Sequence, residues 1–172
     1  MTALVSLRPL SAADVPAVQA LYDAIPGYFT MLAGTPAPAG LAAHDYDALT
    51  RQHGRTWLGL YLPDPAGTPV LSGLLDMRLA YPLPDAVTLG LLVLREDRQR
   101  CGYGTQAYRL IEPWLQQQGY ARVRLDVPGQ AFGAQTFWRR LGFEFTGEQL
   151  RVAAGRKTVR LLVMEKALAN RS

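Results

Sequence analysis

Cysteine is almost absent. Cys101 stands alone among 172 residues, which excludes an internal disulfide framework. With only His44 and His53 beside it, no structural zinc site is expected and no metal is assigned. Lysine is nearly as scarce, so the formal net charge of +4 rests on arginine, with Lys157 and Lys166 the only lysines. The arginines are scattered, and no basic run is long enough to read as a nucleic-acid arm, so no nucleic-acid partner is expected. No window approaches the roughly 18 uninterrupted apolar residues of a membrane span. The first residues, MTALVSLRPLSAAD, have neither a basic start nor a long apolar core, so the expectation is a soluble cytoplasmic protein with no membrane partner. Repeats, low-complexity tracts and linkers are missing too, and a single domain over residues 1–172 is expected.

What is present is apolar material: 49% of the residues are hydrophobic, enough for one domain to bury a real core. Residues 4 to 10 read as a first strand that stops at Pro9. Ser11 and Asp14 resemble a capping box, and Val15, Val18, Leu21 and Tyr22 have the spacing of a helix over about 12 to 24, ended by Pro26 and Gly27. The stretch GYFTMLAGTPAPAG is too rich in Gly and Pro to be regular throughout. AAHDYDALTRQ reads as a second helix. Thr56 to Leu62 is β-rich, PDPAGTP is a turn, and VLSGLLDMRLAY returns as the second arm of a hairpin.

VTLGLLVL, from Val87, is a third antiparallel strand, and it leads into the stretch around which the chain is organised, QRCGYG, Gln99 to Gly104. A helix follows over 103 to 118, with Pro113 inside it and Gly119 as its C′ residue. ARVRLDV is a strand, residues 133 to 141 are a short helix ending at Gly142, and FEFTGEQL and KTVRLLVMEK are two last strands joined by VAAGR. This order predicts an α/β (α+β) fold, a mixed sheet with helices on both faces.

Strand, arginine-rich turn and helix start make an anion cradle. The first N–H groups of a helix lack intrahelical partners and lie at the positive end of its dipole. Gly102 and Gly104 permit close approach of the backbone or φ > 0. Arg95, Arg98 and Arg100 flank the turn, and guanidinium groups bind phosphate bidentately. GYGTQA also satisfies Gly-x-Gly-x-x-Ala, with Asp126 near the end of the next strand as a dinucleotide-binding fold requires. Against that reading, REDRQRC separates Leu94 from Gly102, and too little chain follows for further parallel units. A Walker loop is excluded because no Gly-Lys-Ser/Thr follows.

The order of elements and the loop resemble the GCN5-related N-acetyltransferase (GNAT) superfamily, whose acetyl-CoA loop reads Gln or Arg, x, x, Gly, x, then Gly or Ala. Here Gln99, Gly102 and Gly104 fill those places, and Ala134, Phe137, Trp138, Gly142 and Phe143 match its later Ala-x-x-Phe-Tyr and Gly-Phe, with Trp for Tyr. The resemblance implies a mostly antiparallel sheet of about seven strands, split between the fourth and fifth. It implies acetyl-CoA as cosubstrate and an amine acceptor, a primary amine of a small molecule or protein terminus that attacks directly. Cofactor contacts would come from Arg100, Cys101, Gly102, Tyr103, Gly104 and Thr105 at the pyrophosphate, Leu92, Val93 and Leu94 along the pantetheine arm, and Gln99, Gln130 and Phe137 beside them. The Leu94 amide would stabilise the oxyanion.

No carboxylate lies in VTLGLLVL, so Asp76 and Asp85 are the candidates for a base, with surface or turn positions as the competing reading. Glu96 and Asp97 read as ion-pair partners of the loop arginines. Trp138 has no acidic proton to give, which leaves Tyr103 and Tyr108 as candidate donors, against packing at the loop for Tyr103 and a helix-surface position for Tyr108. The thiolate could instead leave unassisted. Cys101 reads as a small filler, and His44 and His53 as surface residues. Tyr22, Tyr28, Phe29, Met31 and Trp57 line an acceptor pocket or belong to the core. Leu110, Ile111, Trp114 and Leu115 read as core, and the apolar strand LLVME is a candidate for pairing across a homodimer. The absent strand carboxylate and Trp138 keep a second function open, a non-catalytic acyl-CoA-binding module.

Overall fold

The computed structural model describes residues 4–169; residues 1–3 of the stretch read above for a leader lie outside these bounds. Seven strands, β1 (Ser6–Pro9), β2 (Arg55–Pro63), β3 (Pro69–Leu79), β4 (Ala86–Leu94), β5 (Arg122–Pro128), β6 (Glu144–Ala154) and β7 (Lys157–Ala167), form one sheet in the order β1-β2-β3-β4-β5-β7-β6. Every neighbouring pair is antiparallel except β4 and β5. The expected mixed, mostly antiparallel sheet is therefore what the chain forms. None of the described helices is long and apolar enough to cross a membrane.

Because successive side chains of a strand point to opposite faces, the sheet builds two cores. Trp57, Leu74 and Val93 pack under α1 (Val15–Asp23), α2 (Pro26–Ala33) and α3 (Leu41–Thr50). Leu58, Leu60, Leu75 and Leu89 point the other way, towards α4 (Tyr103–Gln117) and α5 (Phe132–Arg140). The capping box forms: the Ser11 N–H and Oγ–H both donate to Asp14 Oδ2, at 2.7 and 3.1 Å, and a short 3-10 turn leads from it into α1. Gly119 takes φ +84° just past α4, as its C′ position requires.

Four expectations need correction. Pro26 and Gly27 do more than end α1: they open α2, where proline's missing N–H costs no hydrogen bond and the Gly27 N–H donates to Glu96 Oε1 at 3.2 Å. On α4 the buried stripe is Ala107, Tyr108, Ile111 and Leu115, while Leu110 and Trp114 are 52% and 40% exposed, so only half of the expected core set lies inside. VAAGR is mostly strand: β6 continues to Ala154, and the reversal falls at Gly155. LLVME lies inside β7, paired with β5 on one side and β6 on the other, which leaves β6 as the edge.

Close packing of β3 on β4 depends on Gly73. A Cβ there would stand 2.6 Å from the Val93 carbonyl oxygen and 2.8 Å from Leu94 Cδ2. Gly73→Ala is expected to lower stability by about 1–3 kcal/mol, read by thermal unfolding, because the backbone it meets has no other rotamer to adopt.

Candidate active site

Strands β4 and β5 part in the middle. Ala86 to Leu89 pair with Arg122 to Leu125, and beyond them Gly90–Leu94 and Asp126–Pro128 have no partner across the gap. A bulge in β4 falls where the separation begins. Met77 faces Leu89 and Asp76 faces Leu91, so Gly90 is an extra residue, and it reverses the phase of the strand. Val87 and Leu89 join the α4 core, and after the bulge it is Leu92 and Leu94 that do so. The Arg95 N–H donates to the Ser72 carbonyl at 2.9 Å, so alternation turns the N–H and C=O of Leu94 and Leu92 away from β3, into the gap.

At the end of β4 the Gln99 side-chain amide donates to the Leu94 carbonyl at 2.9 Å and folds the turn back on the strand. Arg100 takes φ +58° and Gly102 φ +83°. The first is a non-glycine residue in a left-handed conformation, which costs about 1–2 kcal/mol and is typical of places where function shapes the backbone. No backbone or side-chain acceptor among the described residues meets the N–H groups of Arg100, Cys101, Gly102, Tyr103, Gly104 or Thr105, while the next amide, Gln106, already bonds to the Gly102 carbonyl at 3.0 Å. Six consecutive main-chain donors at the start of α4 are thus without a partner among the described residues. Gly104 serves packing instead, since a Cβ on it would lie 3.2 Å from the Phe137 ring and its absence lets α5 close on α4. Phe137 therefore sits beside the loop.

The loop carries excess positive charge. Arg95 and Arg98 share Asp97, at 3.0 and 3.8 Å, and the Arg95 hydrogen bond holds the Asp97 carboxyl below its usual range. Arg100 has no ion pair among the described residues. Glu96 is spent on the α2 amide. Cys101 is exposed, its thiol donating to the Gln99 carbonyl at 3.3 Å. Gln130 is exposed just before α5, and Gln135, which the sequence reading passed over, ties that helix to the end of β5 through the carbonyls of Pro128 and Gly129, both at 3.0 Å.

Asp76 corrects the surface reading: it is 5% exposed, on the α1–α3 face. Arg55 and the Trp57 indole N–H both donate to it, the latter at 3.1 Å. Asp85 fits the turn reading, with Arg122 at 3.1 Å and two backbone amides on its carbonyl. Nearby, the Tyr22 hydroxyl donates to Asp45 Oδ2 at 3.0 Å, and burial raises both groups above their ordinary values. Burial also pushes the Tyr28 hydroxyl up to about 12.

Tyr108 is buried as well, against the expectation of a helix surface, and packs edge-on to Trp138 and Phe143. Its hydroxyl has no partner of good geometry, and burial together with the Glu112 carboxylate keeps it strongly protonated. Leu92 and Leu94 thus lie along the β4–β5 cleft, the turn from Gln99 to Thr105 follows the end of β4 with Phe137 against Gly104, and Tyr108 stands in an aromatic cluster with Trp138 and Phe143. Helix α2 bounds the other side, reaching from Glu96 to the β6–β7 turn, where Lys157 Nζ lies 3.5 Å from the Thr30 carbonyl. The residues missed from sequence are Gly90, Arg55 and Gln135, while Glu96, expected to pair with the loop arginines beside Asp97, accepts from the Gly27 N–H instead. For Gly90 a signal existed, since an isolated glycine in a strand pattern marks a bulge.

The model of the acetyltransferase (GNAT) family matches residues 18–143. No curated protein matches the chain by sequence. Among solved structures, an acetyltransferase from Thermus thermophilus superposes with a TM-score of 0.78 at 28% identity, over 97% of this chain and 99% of that one. The ribosomal-protein-S18-alanine N-acetyltransferase from Escherichia coli gives 0.65 at 18% identity, over 96% and 95%. A spermidine N-acetyltransferase from Vibrio cholerae, in complex with CoA and spermine, gives 0.69 at 13% identity, over 96% of each. The last two are likenesses of fold.

Proposed function

Because the chain belongs to the acetyltransferase (GNAT) family, we propose that it transfers the acetyl group of acetyl-CoA to a primary amine of a small molecule or protein terminus. The observation that carries this reading is the row of six unpartnered amides from Arg100 to Thr105 at the head of α4. Such a row, with Arg100 beside it, matches a diphosphate, whose oxygens need several donors at once.

From that anchor the pantetheine arm enters the gap between β4 and β5, where Leu92 and the Leu94 N–H offer backbone groups that no strand pairs, as a partner strand would. The Leu94 amide donates to the thioester carbonyl oxygen as negative charge builds on it. An unperturbed alkylamine has a pKa of about 10.4, so attack requires a proton acceptor. Asp76, beside the bulge, is the carboxylate placed to serve, directly or through water. The new C–N bond forms as the C–S bond breaks, and a thiol of pKa about 8.5 leaves as thiolate near neutral pH without an acid. Neither the Trp138 indole nor the strongly protonated, buried Tyr108 hydroxyl is needed.

Calorimetric titration with acetyl-CoA tests the reading. A Kd well below about 1 mM is expected, and no binding at that concentration overturns it. Binding without release of free CoA over any amine would mark an acyl-CoA-binding module instead.

A further inference from the structure

The two oxygens of Asp76 are unequally used. Oδ2 accepts from Arg55 Nη2 at 2.5 Å, Arg55 Nε at 3.1 Å and Trp57 Nε1 at 3.1 Å. Among the described residues, Oδ1 accepts only from Arg55 Nε, at 3.0 Å, a donor it shares with Oδ2. A carboxylate oxygen has two lone pairs, so Oδ1 keeps acceptor capacity to spare in a residue that is 5% exposed.

What faces Oδ1 from the cleft side is Gly90. A Cβ on Gly90 would lie 3.4 Å from Oδ1 and 3.5 Å from Cγ of Asp76. Gly90 is itself exposed, and it stands in the half of β4 that has no β5 partner. The absent side chain at position 90 is thus the opening through which the carboxylate meets the cleft. Any other residue there would cover it.

We propose that Gly90 determines acceptor specificity: through the opening it leaves, Asp76 Oδ1 accepts a hydrogen bond from the reacting nitrogen, which selects a primary amine with no substituent on the carbon next to that nitrogen. The inference rests on the acetyl-transfer reading above. The reason is width, since the opening is the room of one absent side chain and a substituent beside the nitrogen would strike the β4 backbone.

The test measures free-CoA release with putrescine and alanine amide as acceptors, and acetyl-CoA affinity by calorimetry, for the wild type, Gly90→Ala and Gly90→Val. The alanine variant folds, because its Cβ meets Asp76 at ordinary contact distance and position 90 is not left-handed. Wild-type kcat/KM for putrescine is expected to exceed that for alanine amide by about tenfold or more. Gly90→Ala lowers the putrescine value about tenfold, through KM and kcat together because the covered carboxylate is also the proton acceptor, and Gly90→Val lowers it further, with the acetyl-CoA Kd unchanged in both. Equal use of the two amines, no turnover of putrescine by a protein that binds acetyl-CoA, or an unchanged kcat/KM in Gly90→Ala overturns the inference. Failure of the wild type to bind acetyl-CoA is a different result, and it removes the acetyl-transfer reading itself.

Discussion

Gly102→Glu is expected to weaken acetyl-CoA binding by more than about 100-fold, roughly 2.7 kcal/mol, while leaving the protein folded. A Cβ at residue 102 meets nothing within 4 Å, so the larger side chain has room in the free protein. The backbone there is left-handed, φ +83°, which costs a residue with a Cβ about 1–2 kcal/mol. A carboxylate at the head of α4 offsets part of that cost, because it sits at the positive end of the helix dipole and can accept from the free amides. That same compensation is what removes the phosphate site: the new carboxylate occupies the donors and repels a second anion. Gly102→Ala separates the two effects, since it has the backbone cost without the charge, and its affinity is expected to fall by less than about tenfold. Calorimetry for binding and circular dichroism for folding read both variants. Equal losses for Ala and Glu would mean that backbone geometry, not charge, governs the loop.

Asp76→Ala is expected to lower stability by about 3–5 kcal/mol, a fall in Tm on the order of 10 °C for a chain of this size. The loss comes from what stays behind. Arg55, whose side chain is 23% exposed, would keep a guanidinium charge without its carboxylate, and the buried Trp57 N–H would lose its acceptor. Asp76→Asn keeps an acceptor oxygen for Trp57 and is expected to cost less, because one hydrogen bond survives and only the ion pair is lost. Thermal melts of the two variants check the ranking. Free-CoA release on the Asn variant, well below its Tm, then reports on chemistry apart from folding, and a fall in turnover there is expected from the loss of the proton acceptor.

The two predictions concern residues whose surroundings the chain reveals to different degrees. Gln99, Gly102 and Gly104 are neighbours in sequence, and a strand running into a helix is enough to place them. For Asp76 the partners are Arg55, 21 residues away, and Trp57, 19 away, on the next strand. Local pattern assigned a charged residue among apolar ones to the surface, whereas the β2–β3 register placed Trp57 directly opposite it. Tyr108 shows the converse. Its place on an amphipathic helix was plain, yet two apolar stripes, Ala107–Ile111–Leu115 and Leu110–Trp114, satisfy helical spacing, and only packing against the sheet decides which is buried.

By itself the sequence determined the order of the strands and most of the helices, the pattern that makes the sheet mixed and mostly antiparallel, and the anion loop, because each depends on residues within a few positions of one another. The resemblance implied that the sheet splits between its fourth and fifth strands, as it does; tertiary structure alone decided that the pairing ends at Leu89, that Gly90 is the bulge residue facing Asp76, that α2 bridges the loop and the β6–β7 turn, and that β7 is interior. The physical reason is the same in each case: strand register and side-chain contact join residues far apart in the chain, and no local preference specifies which of the possible pairings buries the most apolar surface while leaving its polar groups bonded.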